Sequence, residues 1–591
     1  MSRRSVILPI LAIAFSAVFV SSQLRFAGAK ADNADPQSTS GYVGSRVCSG
    51  CHRQIYHSYA QTDMGRSITE PTALLLERIP TPITVSDPNA KRQFEVSVHD
   101  AQLFQTEVGK SADGRELFRD SHKIEWIIGS GANGFGAIFR RGDYLFEAPL
   151  SFYSKANSWA LSPGYEFANY GFSRPILPGC ITCHSGQPQS VLGGNGLFRN
   201  PPFVEMPVGC ENCHGPGEAH VSERLLSDKS TTGGGSIVNP AKLSLWLADN
   251  ICMSCHQTGD ARVLQQGKTY RDFRPGAPLD RTLAIFMVPP SRDHPLQTDL
   301  LEHYFLMTLS KCYQKSEGRL GCITCHDPHI QPTNAEAPAY FRSKCLSCHT
   351  EKSCAVPFTL RDKKNPRDDC AGCHMPKRDI KVISHSALTN HRIARDSSEP
   401  FPDVVASPQI PGLVHLSAVP GQKNSAAPII LLEAYEQIVD SYPQYRQRYW
   451  DLGRQLEKSQ GENVSVLRAL ADWATQQKTP ETTEKAIEYL NAAIQHGDTD
   501  PTDYEELATL LMVRGEIADA VLILRKALQV MPYDAMFYRL LGKGFLSLNK
   551  TREATQILRT GVQIFPQDPE IRELLKQSET SSGEGGAAST R

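Results

Sequence analysis

The chain has 591 residues, and its 62 Lys and Arg residues nearly balance its 63 Asp and Glu residues, for a formal charge of −1. Proteins that bind nucleic-acid phosphates usually carry a basic excess, so this balance argues against nucleic acid as a partner. Charged residues make up 21% and apolar residues 40%, typical of a globular chain long enough for about two to five domains.

The first 29 residues have the features of an export signal. Arg3 and Arg4 precede an apolar run over 6–20, and Ala27 and Ala29 flank Gly28 as in a signal-peptidase site. We therefore predict a signal peptide over 1–29 and a periplasmic or otherwise extracytoplasmic location. An uncleaved N-terminal anchor is the alternative. No later stretch is apolar enough to cross a membrane, so any other membrane association is expected to be peripheral.

Fourteen of the 16 cysteines belong to one pattern, Cys-x-x-Cys-His, which occurs seven times. The cysteines are Cys48 and Cys51, Cys180 and Cys183, Cys210 and Cys213, Cys252 and Cys255, Cys322 and Cys325, Cys345 and Cys348, and Cys370 and Cys373. The histidines are His52, His184, His214, His256, His326, His349 and His374. We number these motifs 1 to 7 in chain order.

This pattern is the attachment signature of c-type haem. The two thiols add across the two vinyl groups of one haem, and the adjacent His reaches the iron from the proximal side. Zinc sites also use Cys-x-x-Cys pairs, but zinc does not require a His after every second Cys. The sequence therefore predicts seven covalently bound haem c groups.

The haem region is expected to span 40–394 and to have an unusual core. Its seven motifs lie within 48–374, about one per 47 residues, too dense for a conventional core around each cofactor. We therefore predict a haem-packed domain of short helices and loops, in which the haems themselves form the core. The expected fold class is this multihaem cytochrome c domain, with a small antiparallel β insert, followed by an all-α tetratricopeptide solenoid.

Each iron needs a second axial ligand to become six-coordinate, and we expect His in most cases. His220 and His329 lie too close in sequence to motifs 3 and 5 to reach the far face of their own haems, so each is expected to cap a neighbouring haem. Met64 is the alternative ligand near motif 1, where a thioether would raise the reduction potential. The full set of predicted second ligands is His122, His220, His303, His329, His385, His391 and Met64.

The two remaining cysteines, Cys312 and Cys354, stand outside the pattern. In an exported chain two leftover thiols suggest one disulfide, and two free buried thiols are the alternative.

A β-rich insert is predicted over 80–160, between motifs 1 and 2. Residues 94–98 alternate between apolar and polar side chains, and Asp113-Gly114 and Gly142-Asp143 are turn signals. The glycine-rich run at 129–136 lacks the spacing of a nucleotide-binding loop. It predicts a tight bend or a close approach of backbone to a haem.

A proline-rich linker over 395–428 leads to a helical repeat region over 429–580. Segments 467–500, 501–534 and 535–568 align without gaps, with small residues at shared positions such as Ala508 and Gly542. The 34-residue period is that of tetratricopeptide repeats. Such a solenoid either binds a partner's peptide or helix in its groove or acts as a passive spacer. The tail, 581–591, is low in complexity and is expected to be disordered.

The haem region resembles multihaem cytochromes related to hydroxylamine oxidoreductase and its tetrahaem electron acceptor. The carrying segments are CENCHGPGEAH at 210–220, IVNPAKL at 237–243, CITCHDPH at 322–329 and CAGCHMP at 370–376. The chain looks most like exported multihaem cytochromes that end in tetratricopeptide repeats, and this resemblance implies a distal-ligand role for His220. No Cys-x-x-Cys-Lys motif is present, so the lysine-ligated haem of pentahaem nitrite reductases has no counterpart here.

These features predict a multihaem cytochrome that relays electrons between extracytoplasmic redox partners, with the repeats docking a partner. The alternative is an oxidoreductase that acts on a small nitrogen or sulfur compound at an iron with an open sixth position. Motif 1 is the best candidate for such an iron, because its second ligand is the least clear. Fold resemblance alone does not decide between the two functions.

Overall fold

The structure is a computed structural model that describes residues 41–87, 92–165, 170–226, 236–290, 301–380, 386–396, 398–399, 410–421 and 426–587. The predicted signal peptide and His385 lie outside these residues. No helix in the described ranges is long and apolar enough to span a membrane.

Strands dominate the first part of the chain. They are β1 (Ile68–Thr69), β2 (Ile83–Asp87), β3 (Arg92–His99), β4 (Gln102–Lys110), β5 (Glu116–Lys123), β6 (Trp126–Ile128), β7 (Gly134–Arg141), β8 (Tyr144–Glu147), β9 (Leu150–Tyr153), β10 (Ser158–Leu161), β11 (Arg174–Pro175), β12 (Gln187–Ser190), β13 (Phe198–Glu205), β14 (Ala261–Leu264), β15 (Leu283–Met287), β16 (Lys377–Ile380), β17 (Ser386–Thr389) and β18 (Val414–His415).

Two antiparallel sheets occupy the predicted insert. Strands β2 to β5 form a four-stranded meander, and β1, β6, β7, β8 and β11 form a second sheet that β9 and β10 extend from β7. Their facing sides share one core, which includes Phe94, Leu103, Phe139 and Phe146. The expectation of an antiparallel sheet between motifs 1 and 2 is therefore confirmed, although strands also continue beyond residue 160.

The glycine-rich run at 129–136 forms the tight bend that leads into β7. Gly129 and Gly131 adopt positive φ angles of 112° and 84°, which favour glycine. Gly134 pairs with Tyr153 of β9, and a Cβ at this position would clash with the carbonyl oxygen of Phe152. Of the two predicted roles, the structure supports the bend.

Short helices carry and connect the Cys-x-x-Cys-His motifs. They are α1 (Ser45–Cys48), α2 (Arg53–Tyr59), α3 (Ala73–Leu76), α4 (Pro178–His184), α5 (Cys210–His214), α6 (Glu218–Leu226), α7 (Leu245–His256), α8 (His303–Thr308), α9 (Lys311–Lys315), α10 (Cys322–Cys325), α11 (Ala337–Leu346), α12 (Phe358–Arg361) and α13 (Cys370–His374). His303, a predicted second ligand, begins α8.

The C-terminal region is an all-α solenoid of the tetratricopeptide type. Its helices are α14 (Pro428–Ile438), α15 (Arg446–Gln460), α16 (Val464–Gln477), α17 (Pro480–Gln495), α18 (Pro501–Val513), α19 (Ile517–Val530), α20 (Ala535–Ser547), α21 (Thr551–Ile564) and α22 (Pro569–Ala587). Each predicted 34-residue segment forms one helix pair. The small residues lie between the helices: Ala508 is fully buried, and a Cβ on Gly542 would meet Leu558 at 2.5 Å.

Two boundaries differ from the sequence prediction. Part of the predicted linker forms β18, which pairs with β15, because Val414 and His415 complete that small sheet. Helix α22 continues to Ala587, well into the predicted disordered tail. Before the tail, α22 packs on the solenoid: Ile571 is fully buried, and the Ser578 hydroxyl lies 3.0 Å from that of Thr555.

The solenoid docks on the N-terminal sheets through equivalent loops of successive repeats. Thr499, Tyr533 and Gln567 are spaced by the 34-residue period, and each contacts the sheet region. The amide of Asn195 donates to the Thr499 carbonyl at 2.8 Å, and Gln567 packs beside Gly171. The Tyr533 ring lies 5.2 Å from the rings of Tyr144 and Phe146. The repeats are therefore packed against the rest of the molecule.

Tyr533→Ala is expected to weaken this junction. The ring packs edge-on against two aromatic rings and the Arg141 guanidinium, so its removal should cost about 3 kcal/mol. Hydrogen exchange of the β7 and β8 amides would show the loosening. Leu522→Ala, at a solenoid residue that is 57% exposed, is the control and should leave exchange unchanged. Equal exchange in the two variants would contradict the interface.

Glu107 should make stability depend on pH. Its side chain is buried, with Arg92 at 2.6 Å, and burial raises the pKa of Glu107 to about 7. A folded pKa above the unfolded value means that folding takes up a proton between about pH 4.5 and 7, so stability falls as pH rises through this window. The loss should reach about 3 kcal/mol.

The Glu107→Gln variant is expected to lack this loss. Denaturant unfolding at pH 5 and pH 8, followed by circular dichroism, would measure the difference between variant and wild type. Glu95→Gln, at an exposed position of the same sheet, serves as the control. If wild type and Glu107→Gln show the same pH dependence, the buried carboxyl is not its source.

Candidate multihaem site

A cavity of about 1750 Å³ runs through the motif region. It is larger than the about 300–1,000 Å³ of typical ligand pockets, whereas protein interiors are normally close-packed. Motifs 2 to 7 all contribute to its wall: the lining cysteines are Cys183, Cys213, Cys252, Cys255, Cys322, Cys325, Cys345, Cys370 and Cys373. The cavity has the size and the covalent anchors to accept several haems, so the residues fit the predicted cofactor.

Local helices explain how each motif presents its thiols. In α5, α7 and α13 the two cysteines lie three residues apart near the helix end, so both sulfurs share one face and the His follows directly. Side-chain acceptors also lie at the start of two motif helices, α13 and α10. The Asp369 carboxylate accepts from the Gly372 amide at 2.9 Å, and Asp249 accepts from the Cys322 amide at 2.8 Å.

Cysteines of different motifs approach one another. Direct sulfur contacts join Cys48 to Cys210, Cys183 to Cys255, Cys252 to Cys322, and Cys345 to Cys370. Through these contacts motif 1 adjoins motif 3, motif 4 adjoins motifs 2 and 5, and motif 6 adjoins motif 7. Cys213 lies near Cys252, and Cys325 lies near Cys348, so these three groups of motifs join into one branched array.

Four motif histidines face a second imidazole from elsewhere in the chain. The centroid separations are 6.4 Å for His52 and His220, 6.0 Å for His214 and His329, 5.7 Å for His256 and His303, and 6.2 Å for His326 and His391. A metal–imidazole bond is about 2 Å long and the ring centre lies about 1 Å further out, so two imidazoles on one iron have centroids about 6 Å apart. All four pairs have this separation.

Backbone carbonyls orient the imidazoles of three histidines in the motif region. Nδ1 lies 2.8 Å from the Val238 oxygen in His214, 2.8 Å from the Ala394 oxygen in His374, and 3.0 Å from the Thr389 oxygen in His391. When Nδ1–H donates to a carbonyl, the lone pair of the neutral ring is on Nε2. Metal-ligating histidines are commonly held in this way.

Burial favours the neutral form of six histidines in the motif region. It lowers the pKa of His184, His214, His256 and His326. Burial also lowers the pKa of His303 to about 2, with His391 beside it, and the pKa of His391 to about 4. An imidazole must be unprotonated to bind a metal. Burial therefore favours the ligand-competent form of these six imidazoles.

His122 is not retained as a predicted ligand, because the structure gives its ring other partners. It lies in β5 between the rings of Phe139 and Phe172, at centroid distances of 4.4 and 4.5 Å. Its Nε2 is 2.8 Å from the Asp120 carboxylate and 2.9 Å from the Arg141 guanidinium. A His at the end of an apolar strand has the same sequence pattern whether it packs in a sheet or reaches a haem.

Met64 begins a short 3₁₀ turn and lines the cavity. Because His220 is the residue opposite His52, Met64 is not retained as the second ligand at motif 1, and motif 1 is no longer the best candidate for an open iron. Within the described residues, no second imidazole faces His184, His349 or His374. Cys312 and Cys354 are free thiols that line the cavity, so the structure lacks the suggested disulfide.

Two carboxylates that the sequence patterns did not predict hold the motif segments in place. The Glu211 carboxylate, inside motif 3, accepts from the amides of Val43, Gly44 and Gly217 at 2.7 to 3.0 Å. It thereby fixes the segment before motif 1 and the loop that leads to His220. Asp249 supports motif 5 from a distant part of the chain. Glu211 could have been suspected from its place between two haem-binding cysteines, whereas nothing local marks Asp249.

No group of three His, Cys, Asp or Glu side chains in the described ranges is arranged to hold a metal ion. This finding does not bear on haem iron, because the porphyrin supplies four ligands and the protein only one or two.

The sequence matches no protein-family model and no curated protein. Solved structures similar to part of this chain are tetratricopeptide proteins. The Arabidopsis OM64 TPR domain is 19% identical, covering 20% of this chain and 94% of that one, with a TM-score of 0.18. The first TPR domain of human RPAP3 is 14% identical, covering 21% and 96%, with a TM-score of 0.19. YrrB, titled a TPR protein with an unusual peptide-binding site, is 11% identical, covering 26% and 85%, with a TM-score of 0.22.

Proposed function

We propose that this protein is an extracytoplasmic multihaem c-type cytochrome that carries seven covalently bound haem c groups and relays electrons between redox partners. The observation that carries the proposal is the set of four imidazole pairs, each about 6 Å apart, whose motif histidines follow cysteine pairs along one array. A zinc or dithiol role for the motifs would give no reason for a second imidazole at this separation.

Different groups of residues would have different roles in such an electron relay. The paired cysteines would attach each haem, and the motif histidines and their partners would bind iron on opposite faces. A bound haem supplies one-electron exchange between ferric and ferrous iron. The chain favours the neutral form of buried imidazoles and orients three of the histidines through backbone carbonyls. The sulfur contacts between motifs bring neighbouring haems close enough for an unbroken path.

The solenoid has a second role in this proposal, the docking of a partner protein through a peptide or helix in its groove. Its inter-repeat loops are already used to pack on the N-terminal sheets. We therefore expect a partner to bind the helix surfaces of the solenoid that lie away from those loops.

Maturation in a host that attaches haem c tests the central claim. We expect an intact mass that corresponds to seven added haems, and a sharp ferrous α-band after dithionite reduction. Low-temperature EPR of the oxidised protein should be dominated by low-spin haem. An unmodified polypeptide mass, or the absence of the ferrous α-band, would refute the proposal.

An enzymatic function is the second candidate, on one observation: no described imidazole stands opposite His184, His349 or His374. Each of these irons could offer a position to a small nitrogen or sulfur compound, and His385 is a candidate ligand for one of them. Turnover of nitrite, hydroxylamine or tetrathionate by the reduced protein, together with a high-spin EPR signal that the substrate shifts, would favour an oxidoreductase. Reduced protein that stays reduced in all three compounds would favour the relay.

A further inference from the structure

The stretch that contains motifs 6 and 7 is basic, and the segment between these motifs is exposed. Residues 341–378 contain nine Lys and Arg against four Asp and Glu, a net charge of +5 in a chain whose total is −1. The segment 351–367 lies almost wholly on the surface, and its one helix, α12, has four residues.

An ion-pair network holds this segment in place without an apolar core. Arg342 and Arg361 both bind the carboxylates of Glu351 and Asp368, with Arg342 Nε to Asp368 Oδ2 at 2.6 Å and Arg361 to Glu351 at 3.0 Å. Asp368 is buried, so the network closes the base of the segment. Its arginines neutralise two of the four acidic residues.

The same network leaves lysines and apolar side chains pointing outward. Lys352, Lys363 and Lys364 are exposed, and Phe358 and Leu360 are 46% and 55% exposed. Phe358 and Leu360 are not among the residues that line the haem cavity, so a bound haem there would not cover them. Neighbouring exposed apolar side chains that are rimmed by polar residues are typical of interaction sites.

This surface lies directly over the outer end of the array. The Lys364 ammonium is 4.0 Å from the sulfur of Cys373, and Cys348 and Cys373 are both exposed. Exposed apolar residues also flank motif 1, but Val47 directly precedes Cys48, where an attached haem would cover it. The surface beside motif 7 combines exposed apolar side chains, positive charge and closeness to a motif sulfur.

We infer that Phe358, Leu360, Lys352, Lys363 and Lys364 form the docking surface for a redox partner protein with an acidic face, and that electrons pass through the haem of motif 7. This inference rests on the proposed electron-relay function. Charge complementarity would steer the partner and speed its encounter, while the two apolar side chains would be buried in the contact. A membrane surface fits less well, because interfacial anchoring needs a long amphipathic helix and α12 has one turn.

Reduction by flavodoxin hydroquinone, an acidic probe, tests the inference on the full haem-loaded chain. One electron passes from the flavin hydroquinone to a ferric haem, leaving a semiquinone and a ferrous haem. Stopped-flow rates for wild type should fall with rising ionic strength. The triple variant Lys352→Glu, Lys363→Glu, Lys364→Glu should react about tenfold or more slowly at low salt.

The matched control is Lys458→Glu, Lys526→Glu, Lys550→Glu, which makes the same charge change at three exposed lysines of the solenoid. Its rate should stay within about twofold of wild type, because these lysines do not belong to the proposed docking surface. Phe358→Ala with Leu360→Ala should lower the rate without changing its salt dependence. Redox-silent apoflavodoxin, titrated by calorimetry, should show the same order of affinities without any electron transfer.

Three outcomes would overturn the inference: equal rates for both lysine variants, a wild-type rate independent of salt, or binding to phosphatidylserine vesicles that the patch variant alone loses. The last would assign the surface to a membrane. Dithionite separates this inference from the proposed function. If dithionite gives the ferrous α-band but the lysine substitutions do not change the rate with flavodoxin, only the inference about the docking surface is wrong. If dithionite gives no such band, the cytochrome function is wrong.

Discussion

His220→Ala is expected to convert one haem in seven from low-spin to high-spin. The His220 ring lies 6.4 Å from that of His52, the separation of two imidazoles on one iron. Because a methyl group offers no ligand, the iron of motif 1 should become five-coordinate or bind water. Low-temperature EPR of the oxidised protein should gain a high-spin signal of about one-seventh of the total iron, and added imidazole should remove it.

Two further variants separate ligation from general damage to the fold. His220→Met keeps a ligand, so it should stay low-spin while the potential of one haem rises by part of the about 0.8 V range that axial ligands control. His415→Ala removes another buried imidazole, one that stacks on Phe286 and lies 2.9 Å from Asp280. It should not change the spin state. High-spin signals of equal size in His220→Ala and His415→Ala would contradict the pairing.

Sequence patterns predicted most of the local elements. The 34-residue period of small residues such as Ala508 and Gly542 defined the helix pairs, because only small side chains let two antiparallel helices approach closely. Alternation and turn signals identified the antiparallel strands between motifs 1 and 2. The cysteine spacing identified seven anchors without any knowledge of the fold, since the signature is local.

Contacts between distant segments could not be predicted in this way. Nothing near His220 indicates that it faces His52, and His122 looked equally suitable until the structure placed it between Phe139 and Phe172. The 34-residue spacing of Thr499, Tyr533 and Gln567 is visible in the sequence. That these residues contact the N-terminal sheets depends on where the sheets lie in the folded chain. Second ligands and interfaces depend on which distant segments meet in the folded chain, and local sequence patterns contain little information about such contacts.

The chain made without haem attachment is expected to lose the fold of its motif region while the solenoid stays helical. Without haem the cavity of about 1750 Å³ would fill with water or collapse. A water-filled cavity would leave exposed the apolar surface that the haems would cover, and whole domains are stable by only about 5–15 kcal/mol. Collapse does not avoid the cost, because it would bring the buried imidazoles and carboxylates together without partners.

The solenoid has a core of its own and does not depend on the cofactors. Leu507, Leu524, Leu541 and Leu558 are fully buried among its helices, in a cluster without cysteine. Hydrogen exchange of the haem-free chain should therefore show fast exchange in the motif helices α4 to α13 and protection in α16 to α21. The haem-loaded chain should be protected in both regions. Protection of the motif helices without haem would contradict this prediction. It would mean that the polypeptide alone stabilises the cavity, and that the haems bind to a preformed fold instead of forming its core.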